Sequence, residues 1–253
     1  MFRFRRISPV MDPSPPQASL ATANRILAHE GVLDAFGHVS VRHPTDPSRF
    51  YLARSLAPEL VTDVDILEFD LSSQPVPPCE VPLYSERVIH GAIYQARPDV
   101  KAICHHHASA VLPFCLAGLP LRVVTQLGAT IGKHVPLWDQ RTEFGATNHL
   151  VTRTDEARSL ARCLGPHAIV LMKRHGATVV GTNLRELVFR SIYSVRDAEL
   201  QLRALSCGPI DIFTDEEIDL AGRFPEATLA RAWNYWHMRL RSDIREPKEQ
   251  RDN

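Results

Sequence analysis

The chain has 253 residues, and its 29 Lys plus Arg balance 29 Asp plus Glu, so the formal net charge is zero. That length suffices for a substantial core, while the charge balance and the lack of a basic stripe interleaved with aromatics argue against a nucleic-acid partner. A membrane partner is not expected either: the most apolar stretch, AVLPFCLAGLPL, is broken by Pro113 and Pro120, and the basic start MFRFRRISPV has no apolar run behind it.

Residues 1–16 hold four prolines and several arginines without apolar periodicity and read as a flexible arm. Residues 17–253 read as one domain, because no repeat, low-complexity tract or linker divides them. From Gln17 to Glu30, apolar positions three and four apart predict a helix that Gly31 terminates. The runs HVSVRH, RFYLAR and DILEFDL then predict short strands separated by turn residues. Helical spacing returns over Tyr84–Gln95, followed by the stop RPD and the strand-like VKAICHHH. Farther on, Asp155–Leu164 is a predicted helix, HAIVLMK a buried strand and Leu184–Ala204 a long helix. Thr214 opens a capping box ahead of the amphipathic ALARAWNYWHMRL. The five cysteines form no C-x-x-C pair, which predicts reduced thiols and a cytoplasmic location. Cys104 reads either as a buried strand residue or as a nucleophile beside the histidines.

Three histidines in a row, His105, His106 and His107, end the predicted strand. Side chains alternate along a strand, so His105 and His107 share one face and His106 takes the other. An H-x-H pair on a strand is a compact platform for a divalent ion, but two imidazoles hold one poorly without a third ligand. His175, between a buried strand and a glycine, is the best candidate for that ligand. Glu86, at the start of the helix that leads into the histidine strand, is the candidate carboxylate. Hydrogen-bonded core histidines remain the alternative at this stage.

The segments GHVSVR (Gly37–Arg42), SERVIHGAIY (Ser85–Tyr94), RPDVKAICHHH (Arg97–His107) and RHGATVVG (Arg174–Gly181) together resemble, in this order, the class II aldolase/adducin family. The likeness runs from about Gln17 to Cys207. It implies an α/β fold, a three-layer α/β/α domain around a central, mainly antiparallel sheet. It also implies a homotetramer with active sites at subunit interfaces and a divalent metal, manganese or zinc first, iron or cobalt next. His105, His107 and His175 match the family's metal ligands. Glu86 matches its acidic residue, which serves as a fourth ligand, as an acid/base, or as both at different stages.

The departures from the family's sugar-phosphate aldolases concern the substrate. Those enzymes have Asn where this chain has His38, a Thr-Gly pair at Arg54 and Ser55, and a Ser-Ser pair at Tyr84 and Ser85. A guanidinium, an imidazole and a phenol replace a phosphate cradle, and Arg can grip a carboxylate through two hydrogen bonds. With ARSLAPELV, this resembles the family's decarboxylase branch, which acts on hydroxylated aromatic and pyridine carboxylates. The expected substrate-side residues are Arg54, His38, Ser40, Ser55, Tyr84 and Ser85, and the expected partner is a small-molecule carboxylate. Arg54 could equally form a surface salt bridge, Ser40 could bond a turn, and Tyr84 and Tyr94 could be packing residues. His90, one helical turn after Glu86, is a candidate to orient it. Trp233, Tyr235, Trp236 and His237 could cover a neighbouring subunit's site or close the core. A metal-dependent aldolase for an unphosphorylated hydroxy-oxo acid, and a non-catalytic adducin-like module, are the competing readings.

Overall fold

The computed structural model describes residues 15–242. Of the arm read over residues 1–16, only Pro15 and Pro16 fall within it, and Pro16 already opens helix α1 (Pro16–His29). Proline suits a first helical turn, where its missing N–H has no partner to lose. Past α1 the backbone turns through Gly31 at φ +73°, the expected stop.

The strands are β1 (His38–Arg42), β2 (Arg49–Ala53), β3 (Ile66–Asp70), β4 (Ala102–His106), β5 (Leu137–Trp138), β6 (Ile169–Met172) and β7 (Gly176–Gly181). They form one sheet in the order β3-β2-β1-β4-β7-β6-β5. Every pairing is antiparallel except β5 with β6. The remaining helices are α2 (Val88–Ala96), α3 (Leu112–Ala117), α4 (Arg141–Phe144), α5 (Thr154–Leu164), α6 (Leu184–Cys207), α7 (Asp215–Ala221) and α8 (Glu226–Ser242).

Alternation along the strands divides the interior into two layers. Val39, Ala102, Cys104, Ile169 and Val179 pack against α1, α6 and α8. Phe50, Leu52, Ile103, Val170 and Val180 pack against α2 and α5 on the other face. The result is the three-layer, mainly antiparallel α/β arrangement that the family resemblance implied.

Several elements differ from expectation. The helix expected over Tyr84–Gln95 starts as a tighter 3-10 turn, Ser85–Arg87, and becomes α-helical only at Val88. Helix α3 lies in the stretch treated above only as an interrupted apolar run; Pro113 is accommodated in its first turn. Strand β7 was not anticipated as a strand, since GATVVG is short and bounded by glycines. Cys104 is fully buried, and burial pushes its thiol up to about 12, so it is a core residue and not a nucleophile. Trp236 is buried against Phe189 and Tyr193 and closes the core, whereas Tyr235 is exposed. No helix among the described residues is long and apolar enough to cross a membrane.

Candidate metal centre

The centre is assembled where β4 ends. His105 occupies the last turn of pleat on the α2 face, and His107 follows just beyond the strand. The pairing registers set His38 of β1 and Thr178 of β7 directly beside His105 on its two flanks. His175 sits in the tight connection between β6 and β7, closed by its N–H donating to the Met172 carbonyl at 3.0 Å. Glu86 reaches in from the 3-10 turn before α2.

Two glycines permit this crowding. A Cβ on Gly37, whose φ is +88°, would lie 2.8 Å from the His105 carbonyl oxygen. At Gly176 it would lie 2.3 Å from the His106 carbonyl oxygen and 3.0 Å from the His107 ring. Side chains at these positions would push apart the strands that carry the ligands.

The donor atoms converge. His107 Nε2 lies 3.1 Å from His105 Nε2 and 3.1 Å from His175 Nε2. Glu86 Oε2 stands 3.6 Å from His105 Nε2 and 3.5 Å from His175 Nε2, and all four donors lie within 4.8 Å of one another. Tetrahedral ligands about 2.1 Å from a metal ion stand roughly 3.4 Å apart, so these spacings suit one divalent cation.

The protonation states suit it as well. Thr178 Oγ1 donates to Met172 Sδ, leaving its oxygen to accept from His105 Nδ1 at 3.2 Å. His105 therefore carries its proton on Nδ1 and turns a bare Nε2 toward the other donors. Burial, then the neighbouring His105 and His175, brings His107 down to about 4, so its ring is neutral at ordinary pH. Burial alone would raise the Glu86 carboxyl, but His105 and His175 outweigh it and hold the group well below the usual range. Its second oxygen, Oε1, accepts the Val151 N–H at 2.8 Å, which fixes the carboxylate plane. Imidazole nitrogens and a carboxylate oxygen aimed at one point form a donor set whose shared proton a divalent cation could replace.

Residues 18–202 match the model of the Class II Aldolase and Adducin N-terminal domain. The chain belongs to the class II aldolase and adducin family. It is 32% identical to Decarboxylase tropJ of Talaromyces stipitatus over 245 residues, covering 87% of this chain and 92% of that protein. It is 26% identical to the 3,4-dihydroxyphthalate decarboxylase of Arthrobacter keyseri, over 86% of this chain and 90% of that one. Among solved structures, an aldolase II superfamily protein from Pseudomonas syringae superposes with a TM-score of 0.76 at 22% identity, covering 94% of this chain and 96% of that one. An L-fuculose 1-phosphate aldolase from Glaciozyma antarctica gives 0.75 at 22% identity, with 96% of each chain covered. At such identities the structures establish a shared fold.

Beside the candidate ligand set of this family member, the residues expected to face substrate separate into two groups. The His38 ring lies 5.2 Å from His105 and 4.7 Å from Tyr84, centroid to centroid. The Tyr84 hydroxyl, pushed up to about 12 by burial, donates to the Leu56 carbonyl at 2.5 Å and so ties the Arg54–Leu56 segment to the His38 ring. Arg54 Nε bonds Asp65 Oδ1 at 2.8 Å, which realises the salt-bridge alternative. Its terminal nitrogens have no protein partner among the described residues. Ser55 and Ser85 are exposed.

Ser40 and His90 require correction. Ser40 is fully buried, and its hydroxyl is engaged by His90 Nδ1 at 2.6 Å and Tyr94 OH at 2.8 Å, so it presents nothing to a substrate. His90 does not orient Glu86: its Nε2 is bonded to His38 Nδ1 at 2.6 Å. Helical spacing placed Glu86 and His90 on one face, but the 3-10 start of the helix turns their side chains to different partners. Thr178 and the Val151 N–H, which orient His105 and Glu86, were missed by sequence reasoning. A buried Thr in a valine-rich strand was a weak signal for the first; a backbone donor carries none.

Proposed function

We propose that the chain is a divalent-metal-dependent lyase that removes carbon dioxide, without oxidation, from a hydroxylated aromatic or pyridine carboxylate. The observation that carries this reading is the convergence of three imidazole nitrogens and one carboxylate oxygen. The likeness, over 87% and 86% of this chain, to two proteins named as decarboxylases favours carbon dioxide as the departing group. His105, His107, His175 and Glu86 hold the metal, with manganese or zinc the best fits to the mixed nitrogen and oxygen set. When bound, the metal supplies Lewis-acid stabilisation for the electron pair released as the carbon–carbon bond breaks.

This chain's own residues supply orientation and the proton. Arg54, with its free terminal nitrogens, grips a substrate carboxylate, and Tyr84 positions the segment that carries it. Ser55 and Ser85 line the exposed approach. At a stage when it is not holding the metal, Glu86 Oε2 takes the proton of the substrate hydroxyl and passes it to the ring carbon that keeps the electron pair as carbon dioxide leaves, while the Val151 N–H holds Oε1 in place. In keeping with the family, the enzyme is a cytoplasmic homotetramer with sites at subunit interfaces.

The test is anaerobic carbon dioxide release from a panel of ortho-hydroxy aromatic and pyridine carboxylates, using manganese-loaded and chelator-stripped protein. Metal-dependent release is the expected result. Cleavage of a hydroxy-oxo acid to an aldehyde, with no carbon dioxide from any member of the panel, would replace the decarboxylase by an aldolase.

A further inference from the structure

Behind His38 runs a buried hydrogen-bonded chain that the metal centre does not use. His38 Nδ1 is 2.6 Å from His90 Nε2, His90 Nδ1 is 2.6 Å from Ser40 Oγ, and Ser40 Oγ is 2.8 Å from Tyr94 OH. All four residues are buried, His90 and Ser40 completely and Tyr94 to within 1%. The Tyr94 hydroxyl has no other partner among the described residues, and neither does His38 Nε2.

Proton counting along this chain gives a direction. If the Tyr94 O–H donates to Ser40, Ser40 donates to His90 Nδ1, and His90 Nε2–H donates to His38 Nδ1. Every buried donor then has an acceptor, and His38 carries its own proton on Nε2. In the opposite sense, His38 Nδ1–H donates to His90, His90 to Ser40 and Ser40 to the Tyr94 oxygen. The phenolic O–H is then left without an acceptor in the interior, the costly outcome for a buried donor. Burial, followed by the neighbouring His105, holds His90 down to about 3, so a neutral ring is the state to count.

We propose that Tyr94, Ser40 and His90 form a positioning relay that locks His38 in its Nε2–H tautomer, making it a hydrogen-bond donor to an anionic substrate oxygen beside the three-histidine cluster. This deepens the reading of a carboxylate substrate and rests on it for the identity of the ligand. A fixed donor favours carboxylate or phenolate oxygen over a group that must itself donate. His38 is thus a specificity-determining residue, while the other three act through it. The arrangement also accounts for a serine and a tyrosine buried together next to two histidines.

The experiment uses the full chain loaded with zinc, a diamagnetic metal, and labelled with nitrogen-15 at histidine. Magic-angle-spinning spectra, assigned with His38→Asn and His90→Gln, are expected to show a protonated Nε2 and a bare Nδ1 at both residues. A proton on His38 Nδ1 would overturn the relay, and this arm needs no destabilised variant. Calorimetric titration with 2-hydroxybenzoate then tests its consequence. Ser40→Ala is expected to weaken binding roughly tenfold with zinc content unchanged, whereas His38→Asn, which keeps an amide donor, should be affected less than His38→Phe. Equal binding by wild type and Ser40→Ala would also overturn the proposal. Failure of the wild type to bind any ortho-hydroxy carboxylate, with the Nε2–H tautomer in place, would instead remove the carboxylate reading and with it the donor's assigned ligand.

Discussion

The two faces of β4 carry the same residue type to opposite ends. On the α2 face, His105 donates through Nδ1 to Thr178, and its Nε2 meets His107 and, with Glu86 and His175, completes a cluster that could hold a metal ion. On the α6 face, His106 stands on the side that Ala102 and Cys104 give to the apolar layer. There its Nδ1 accepts the Ala108 N–H, and its Nε2 is buried without a partner among the described residues. One residue of offset along the strand therefore separates a candidate ligand from a packing residue. Being a histidine beside histidines does not make a candidate ligand; being aimed where a carboxylate and other imidazole nitrogens are aimed does.

Truncating one histidine on each face should give opposite outcomes. His107→Ala should lower bound metal and activity together by on the order of a hundredfold or more, because two histidines and a carboxylate remain to hold the ion. His106→Ala should leave metal stoichiometry near that of wild type and instead cost about 2–3 kcal/mol of stability through the cavity it opens. Elemental analysis and denaturant unfolding of both variants decide it; similar metal loss in the two would dissolve the distinction between faces.

Glu86→Gln probes the carboxylate within the ligand side. The amide keeps the size and can still accept the Val151 N–H, but it cannot take up and release a proton. Turnover should fall roughly 100-fold at saturating metal. Near-normal turnover in that variant would show that Glu86 serves as a ligand only.

The third contrast is acid stability. Burial drops His90 from an ordinary 6.5 to about 3. The unfolded chain therefore binds a proton between those values that the folded chain refuses. Stability from this group is complete above the unfolded value and is lost progressively as pH falls from there toward the folded one, the loss amounting to about 2 kcal/mol by pH 5. Denaturant unfolding of wild type and His90→Gln at pH 7 and pH 5 measures it: the variant should begin less stable and lose less on acidification. Parallel losses would mean that His90 is not held neutral.

How much of this was legible beforehand follows from the range of the forces involved. The H-x-H alternation, the turn position of His175 and the helix-start position of Glu86 depend on local period and turn chemistry, which sequence carries. The motif pattern adds the family fold. Thr178, the Val151 N–H and the His38–His90–Ser40–Tyr94 chain depend on strand register and helix placement, set by packing between residues far apart in sequence. His90 illustrates the limit: its spacing from Glu86 suggested a helical neighbour, but one tighter turn redirected it across to β1.

Arg54→Ala gives the smallest expected effect and tests the substrate side alone. The side chain is partly exposed, at 38%, and already bonded through Nε to Asp65, so only its terminal nitrogens remain to meet a substrate. Removing them should raise KM for a dicarboxylate about tenfold, with kcat and metal content little changed, because one solvent-screened contact is lost. A monocarboxylate with the same ring should be nearly indifferent to the change. If KM for the two rose equally, Arg54 would be holding the Asp65 loop in shape and not reading a second carboxylate, and specificity would rest on the His38 side of the site.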